Sequence, residues 1–242
     1  MKTPNVFPFN RVRLLAGPLY ERQAVNGRHL QAIDPDRLLA VYRRDAGLPK
    51  KAESYGGWEA RGIGGHIMGH YLSALAWHYA ATGEDWVVGR VSFMVDELAA
   101  CQKAHGDGGI MPVARLGLLA LREGKIDVTH AKLNGYWVPF YSLHKVFAGL
   151  RDAYRLVGCK RALTVECELA NWVDGLLRGL SAEQIQMMLV TEHGGMNEVF
   201  ADLAADTGAG SYLRRAADYF HHNKVLDPIL AGEDQLNGLH GN

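Results

Sequence analysis

The stretch that decides the fold is Gly65-His66-Ile67-Met68-Gly69-His70-Tyr71-Leu72-Ser73-Ala74-Leu75-Ala76-Trp77-His78-Tyr79, which stops at Thr82-Gly83. Leu72, Leu75, Ala76 and Tyr79 recur at helical spacing and form one apolar face. The glycine after Thr82 is a helix stop, because it takes the left-handed C-terminal conformation without a Cβ clash. A second helix follows from about Trp86 to Gln102, with Val87, Val91, Met94, Val95 and Leu98 on its apolar side. The pattern returns as Val146-Phe147-Ala148-Gly149-Leu150-Arg151-Asp152-Ala153-Tyr154, stops at Val157-Gly158, and is followed by a helix from about Ala162 to Leu177. It returns again as Val199-Phe200-Ala201-Asp202-Leu203-Ala204, stops at Thr207-Gly208, and continues through Leu213, Ala216, Ala217 and Phe220. An internal repeat of helix–turn–helix units, with no competing β-branched alternation, predicts an all-α class built of αα-hairpins.

Two architectures suit such hairpins: an open solenoid or a closed toroid of six. A toroid needs roughly 300 or more residues at this repeat length, so the 242 residues here correspond to about its first half. Residues 1–33, with Pro4, Pro8, Gly17 and Pro18, read as an irregular lead-in, and 34–242 as the partial barrel. Asp34-Pro35-Asp36 reads as a helix start, the aspartate capping and the proline in the first helical position. Gly106 to Gly135 has no strong period, which predicts a loop excursion over a functional end.

Composition narrows the function. Lys plus Arg (26) balance Asp plus Glu (26), which argues against a protein that holds nucleic acid or anionic membrane by bulk charge. A hydrophobic share of 48% excludes intrinsic disorder. Cys101, Cys159 and Cys167 are odd in number and lack C-x-x-C spacing, against a disulfide framework or a zinc knuckle. The N-terminus has no long apolar signal region and no segment is long and apolar enough for a membrane span, so the compartment stays open.

Glycine and histidine, 28 and 11 in number, are clustered at one place in each hairpin, just before its leading helix. The clusters are Gly56-Gly57-Trp58-Glu59 with Gly64-Gly65-His66-Ile67-Met68-Gly69-His70, then Asn134-Gly135-Tyr136-Trp137 with His144-Lys145, then Glu192-His193-Gly194-Gly195-Met196-Asn197-Glu198, and finally Asn237-Gly238-Leu239-His240. In a hairpin array these ends share one rim. His66, His70, His144, His193 and His240 should therefore converge, with Trp58, Trp137, Glu192 and Glu198 nearby. Neutral polar donors beside aromatic surfaces suit a carbohydrate. Each piece alone has a plainer reading: histidines cap helices or fill cores, glycine pairs permit close helix crossings, and Glu192 or Glu198 cap a helix start. Repetition in register favours a shared functional rim. His66 and His70 have i, i+4 metal-ligand spacing but lack the intervening glutamate of a zincin.

At these residues the chain resembles the β-L-arabinofuranosidase-type glycoside hydrolases of family 127 and the related family 146. The resemblance rests on Tyr55-Gly56-Gly57-Trp58-Glu59, Gly65–Ala74, Leu133-Asn134-Gly135-Tyr136-Trp137-Val138-Pro139, Leu143–Leu150, Glu192–Val199 and Leu226-Asp227-Pro228. It implies an (α/α)6 barrel whose rim binds a furanose. It also implies a retaining mechanism in which a zinc-held cysteine thiolate attacks the anomeric carbon and a glutamate serves as acid/base. By the family pattern His144, His193 and His240 contact the sugar, with His66, His70, Trp58 and Glu192 as further substrate-binding candidates.

The family's zinc-binding cysteines and its acid/base glutamate belong to a later part of the barrel. The three cysteines here match none of them and read as mid-helix core residues. No catalytic residue, metal ligand or cofactor is thus assigned within these residues, zinc being expected in a full-length relative. The expectation is the N-terminal portion of a glycoside hydrolase, inactive alone, whose partner is an arabinose-containing glycan or oligosaccharide. A non-catalytic helical sugar-binding or scaffold protein is the alternative, and a metalloenzyme built on His66 and His70 a third reading.

Overall fold

The computed structural model describes residues 7–60, 62–192, 195–234 and 237. The first helix, α1, spans Pro18–Ala32, with Pro18 in its opening turn, and α2 spans Pro35–Asp45. The predicted Asp34 cap is present, its side chain accepting the Asp36 N–H at 2.9 Å. The lead-in is therefore not irregular throughout: residues 18–32 are helical. Proline is tolerated where the N–H has no intrahelical partner, and the helix escapes pattern reading because it buries only Gly27 and Leu30.

The first hairpin is α3 (His66–Thr82) and α4 (Trp86–His105). Then come α5 (Arg115–Leu119), a short 3₁₀ turn, and a small antiparallel meander of β1 (Val128–Thr129), β2 (Lys132–Leu133) and β3 (Tyr136–Trp137). The second hairpin is α6 (Pro139–Val157) and α7 (Lys160–Leu177), followed by α8 (Ala182–Leu189). The third is α9 (Met196–Thr207) and α10 (Gly210–Phe220), and α11 (Asn223–Leu230) follows. Gly83, Gly158 and Gly208 close the three leading helices at φ 76°, 80° and 71°, the stops read from sequence.

The leading helices lie side by side and run the same way. Gly69 on α3 meets Lys145 and Val146 on α6, and Gly149 meets Gly69 and Leu72. Further along, Ser73 and Trp77 hydrogen-bond Asp152. Between α6 and α9, His144 faces Glu198, Arg151 faces Asp202 and Asp206, and Arg155 faces Asp206. The following helices form a second parallel row: α4 to α7 through Asp96–Arg161 and Gln102–Val165, and α7 to α10 through Asp174 with Arg215 and Tyr219. Two layers of helices with one apolar core between them result. Val87, Val91, Met94, Val95 and Leu98 of α4 are all fully buried, as their spacing predicts. On α10 the apolar face carries Tyr212, Ala216 and Phe220, whereas Leu213 is exposed.

The α3–α6 crossing is tight, and glycine is its cause. A Cβ on Gly69 would overlap the Lys145 carbonyl, and one on Gly149 would lie 2.6 Å from the Gly69 carbonyl oxygen. Two bare backbones can touch where two side chains could not. No helix among the described residues is long and apolar enough to cross a membrane.

Candidate functional site

Because α3, α6 and α9 run parallel, their N-termini share one end of the array, and each leaves unpaired backbone N–H groups there. At two of these ends a carboxylate from outside the helix supplies the acceptor. Glu59 accepts the Gly65 N–H at 2.8 Å and the Ile67 N–H at 3.1 Å, at the start of α3. Glu192 accepts the Phe140 and Tyr141 N–H groups, both at 2.8 Å, at the start of α6. A negative group at a helix N-terminus also meets the positive end of the helix dipole. Glu192 is thus a capping group, one of the two roles its position in the sequence leaves open. Burial pushes its carboxyl up to about 7, against the pull of the two N–H donors.

The capped helices bring histidines together. His66 is buried, its Nδ1 lying 2.7 Å from the Ile63 carbonyl oxygen and 3.0 Å from Glu59 Oε1. Both neighbours are acceptors, so Nδ1 carries the proton. The His66 ring stands 5.9 Å from both His70 and Tyr141, and His70 Nε2 is 3.2 Å from the Tyr141 hydroxyl. One turn further, His144 Nε2 lies 3.6 Å from Glu198 Oε2, and a Cβ on Gly195 would sit 3.2 Å from its ring. Gly195 has φ 71°, so both its conformation and its neighbour call for glycine.

The imidazoles of His70 and His144 are held below their ordinary range. For both, burial comes first and the nearby Lys145 second; His66 and His144 add to the effect on His70, and Glu198 opposes it on His144. Neutral imidazoles offer one donor and one acceptor each, the pairing that sugar hydroxyls use. Beside them two indoles face solvent. Trp58 (64% exposed) and Trp137 (37%) meet edge to face at 5.9 Å.

The excursion between the first two hairpins places Trp137. Asn134, at φ 49°, donates to the Gly117 and Lys125 carbonyls and accepts the Asp127 N–H. Val138, at φ 37°, forms the N-cap of α6. A β-branched residue in this region is strained, and surrounding contacts must hold it there.

The structure therefore brings together His66, His70, His144, Trp58 and Glu192 at one end. His193 and His240 lie outside the described residues. Sequence reading missed Tyr141 and Glu59 as site components, although Glu59 stands in a quoted motif. Neither carries a local signal, since a tyrosine in a first turn and a glutamate seven residues before a histidine acquire their roles only through tertiary contact.

The zinc that the resemblance implies does not fit the described residues. Among them no group of three or more His, Cys, Asp or Glu could hold a metal ion. Cys101 is buried on α4, its thiol pushed by burial up to about 11. Cys167 lies on α7, hydrogen-bonded to Tyr212. Cys159 is not mid-helix but the residue just before α7, where Gly158 has ended α6 and the chain turns. His66 and His70 stand edge to face, and the Nδ1 of His66 is already engaged.

The chain is similar to known proteins. A family model for the β-L-arabinofuranosidase GH127 catalytic domain matches residues 11–242. Among solved structures, the crystal structure of a GH127 β-L-arabinofuranosidase from Geobacillus stearothermophilus T6 is similar, with a TM-score of 0.54 and 17% identity. The match covers 93% of this chain and 33% of that one, so the chain spans about a third of that protein's length. At this identity the likeness speaks for the fold. Comparison with curated proteins found no match. With the family model covering nearly every residue, the chain belongs to the GH127 β-L-arabinofuranosidase catalytic-domain family.

Proposed function

We propose that this chain supplies the sugar-binding wall of a retaining glycoside hydrolase that acts on arabinose-containing glycans, and that by itself it does not hydrolyse them. The observation that carries the first part is the meeting of His70, Tyr141 and His144 at the N-termini of two parallel helices, flanked by the exposed Trp58 and Trp137. His70 and His144 hydrogen-bond the hydroxyls of a furanose ring, and Trp58 offers it a flat apolar face. Glu59 and His66 act behind them, fixing the start of α3. His193 and His240 join the same wall by the family pattern. The second part is supported by the side chains present: among the described residues no group of three or more His, Cys, Asp or Glu could hold a metal ion, and burial pushes the Cys101 thiol up to about 11.

The test is calorimetric titration of the 242-residue chain with methyl β-L-arabinofuranoside. Saturable binding is expected, weakened about tenfold by His70→Ala or His144→Ala, the loss of one sugar hydrogen bond from a polar site. Binding unchanged in both variants overturns the assignment. Release of arabinose from an arabinofuranoside by the purified chain overturns the statement that it is inactive alone.

A further inference from the structure

A lysine stands among the imidazoles of the sugar wall. Lys145 follows His144 in the second turn of α6, and its backbone carbonyl is the group against which Gly69 of α3 packs. The α3–α6 crossing therefore fixes where this residue sits. Its Nζ lies 5.0 Å from the centre of the Tyr141 ring, and the Tyr141 hydroxyl lies 3.2 Å from His70 Nε2. Among the described residues no carboxylate comes within ion-pair distance of the ammonium.

The charges around the two rings are otherwise committed or screened. His70 has Lys145, Tyr141 and His144 of α6 around it, with His66 on its own helix and Glu59 before that helix. His144 has Lys145 on its own helix and Glu198 on α9. Glu59 is engaged by two backbone N–H groups and His66, and Glu192 by the Phe140 and Tyr141 N–H groups. Glu198 is exposed, so solvent weakens its pull on His144. Burial comes first in holding both imidazoles low, and Lys145 second. A positive charge this close opposes a second one on either ring. The Tyr141 contact has the same requirement, because a tyrosine hydroxyl donates to Nε2 only while that nitrogen keeps its lone pair.

We propose that Lys145 is a positioning residue of the sugar wall: its ammonium, held beside His70 and His144 over the Tyr141 ring, excludes a second cation from both imidazoles, so that each meets the sugar with one donor and one acceptor. A protonated imidazole has two donors and no acceptor, and loses half of that pairing. Lys145 does not touch the sugar; it extends to lower pH the range over which the wall binds. The inference rests on the sugar-wall reading and adds to it the group that sets its pH range.

The experiment reads the rings and the sugar separately. Proton NMR of the imidazoles in the 242-residue chain, with signals assigned by His70→Gln and His144→Gln, follows each ring through pH. Glu192 titrates at about 7, in the same span, and this readout keeps its effect apart. Lys145→Met keeps an unbranched side chain over Tyr141 without the charge. It should move both midpoints to higher pH, whereas Lys145→Arg should leave them in place. Calorimetric titration uses methyl β-L-arabinofuranoside, which carries no charge of its own. Lys145→Met should bind it like the parent chain at pH 8 and about threefold more weakly at about pH 5.5, with Lys145→Arg like the parent at both. Thermal melts confirm that the variants fold. A midpoint that Lys145→Met leaves unmoved in either ring overturns the assignment while leaving the sugar wall standing. An equal loss of affinity at both pH values makes Lys145 a direct sugar ligand and overturns it as well. Absence of binding by the parent chain at pH 8 overturns the sugar wall itself, a failure told apart from the others because the ring midpoints still report on Lys145.

Discussion

Glu192 and Glu166 are two carboxylates withdrawn from water, and they have opposite surroundings. Glu192 stands at the open end of α6 and accepts two backbone N–H groups at 2.8 Å. Glu166 lies inside α7, fully buried, and neither of its oxygens has a hydrogen-bond partner. Its electrostatic neighbours are Asp206, Arg151, Asp202 and Asp152, and Arg151 is already paired with Asp202 and Asp206. Burial raises both acids: Glu192 to about 7, Glu166 to about 9. The difference between them follows from backbone donors. A helix start offers N–H groups to any acid that reaches it, whereas the side of a helix has spent its N–H groups on its own turns. A carboxylate is therefore less costly at the rim of this array than within it.

Removing the rim acid should move stability furthest. Glu192→Ala leaves two N–H groups of α6 without their acceptor and should cost about 3 kcal/mol at pH 4.5, where the contribution of this acid is still complete. Chemical denaturation of the two chains measures it. If Glu192 were a solvated surface acid, the change would be negligible. Glu166→Leu probes the other side. Replacing an unpartnered buried acid with a hydrocarbon of similar size should stabilise the chain by about 2 kcal/mol at pH 8. A loss of stability would mean that Glu166 holds a polar partner.

The pH dependence separates the two acids further. Each binds its proton more tightly in the folded chain than in the unfolded one, where the ordinary value is 4.5. The stability they contribute is therefore complete below pH 4.5 and falls as pH rises, through about 7 for Glu192 and about 9 for Glu166. Relative to the parent chain, Glu192→Gln should flatten the fall only up to about pH 7, and Glu166→Gln should flatten it up to about pH 9. Denaturation midpoints at half-unit pH steps give both curves. Identical curves for the two variants would mean that the donors at α6 do nothing for Glu192.

The same contrast explains what was legible in the sequence. The helix rows were legible because burial acts at every turn: Val87, Val91, Met94, Val95 and Leu98 repeat at helical spacing and all are buried. The stops at Gly83, Gly158 and Gly208 were legible because a left-handed closing residue favours glycine. Helix α1 was not, because it buries two residues and opens on a proline that also suits a loop. Strands of two residues, β1 to β3, are too short to show alternation. At the rim, His66, His70 and His144 could be read because they recur in register. Glu59 and Tyr141 could not, because capping from another segment and a hydroxyl across a helix pair leave no spacing to read. Glu166 is a glutamate on a face where its neighbours Val165 and Leu169 are apolar, and the sequence alone does not distinguish an outward-facing acid from a buried one.

A gentler change is expected where the rim carries strain rather than charge. Val138 holds φ 37° at the residue just before α6, next to the two N–H groups that Glu192 accepts. If the Glu192 contact is what keeps this valine in a disfavoured conformation, relieving the strain should stabilise the chain while the cap remains. Val138→Gly removes the Cβ clash but adds freedom to the unfolded chain, so the net gain is about 1 kcal/mol. The informative measurement is the double variant. With Glu192→Ala in place the valine is free to relax, and the gain from glycine should vanish or reverse, since only the entropic cost remains. An undiminished gain in the double variant would show that the backbone turn at residue 138 is set by the β-meander and not by the carboxylate, leaving Glu192 a cap for α6 and nothing more.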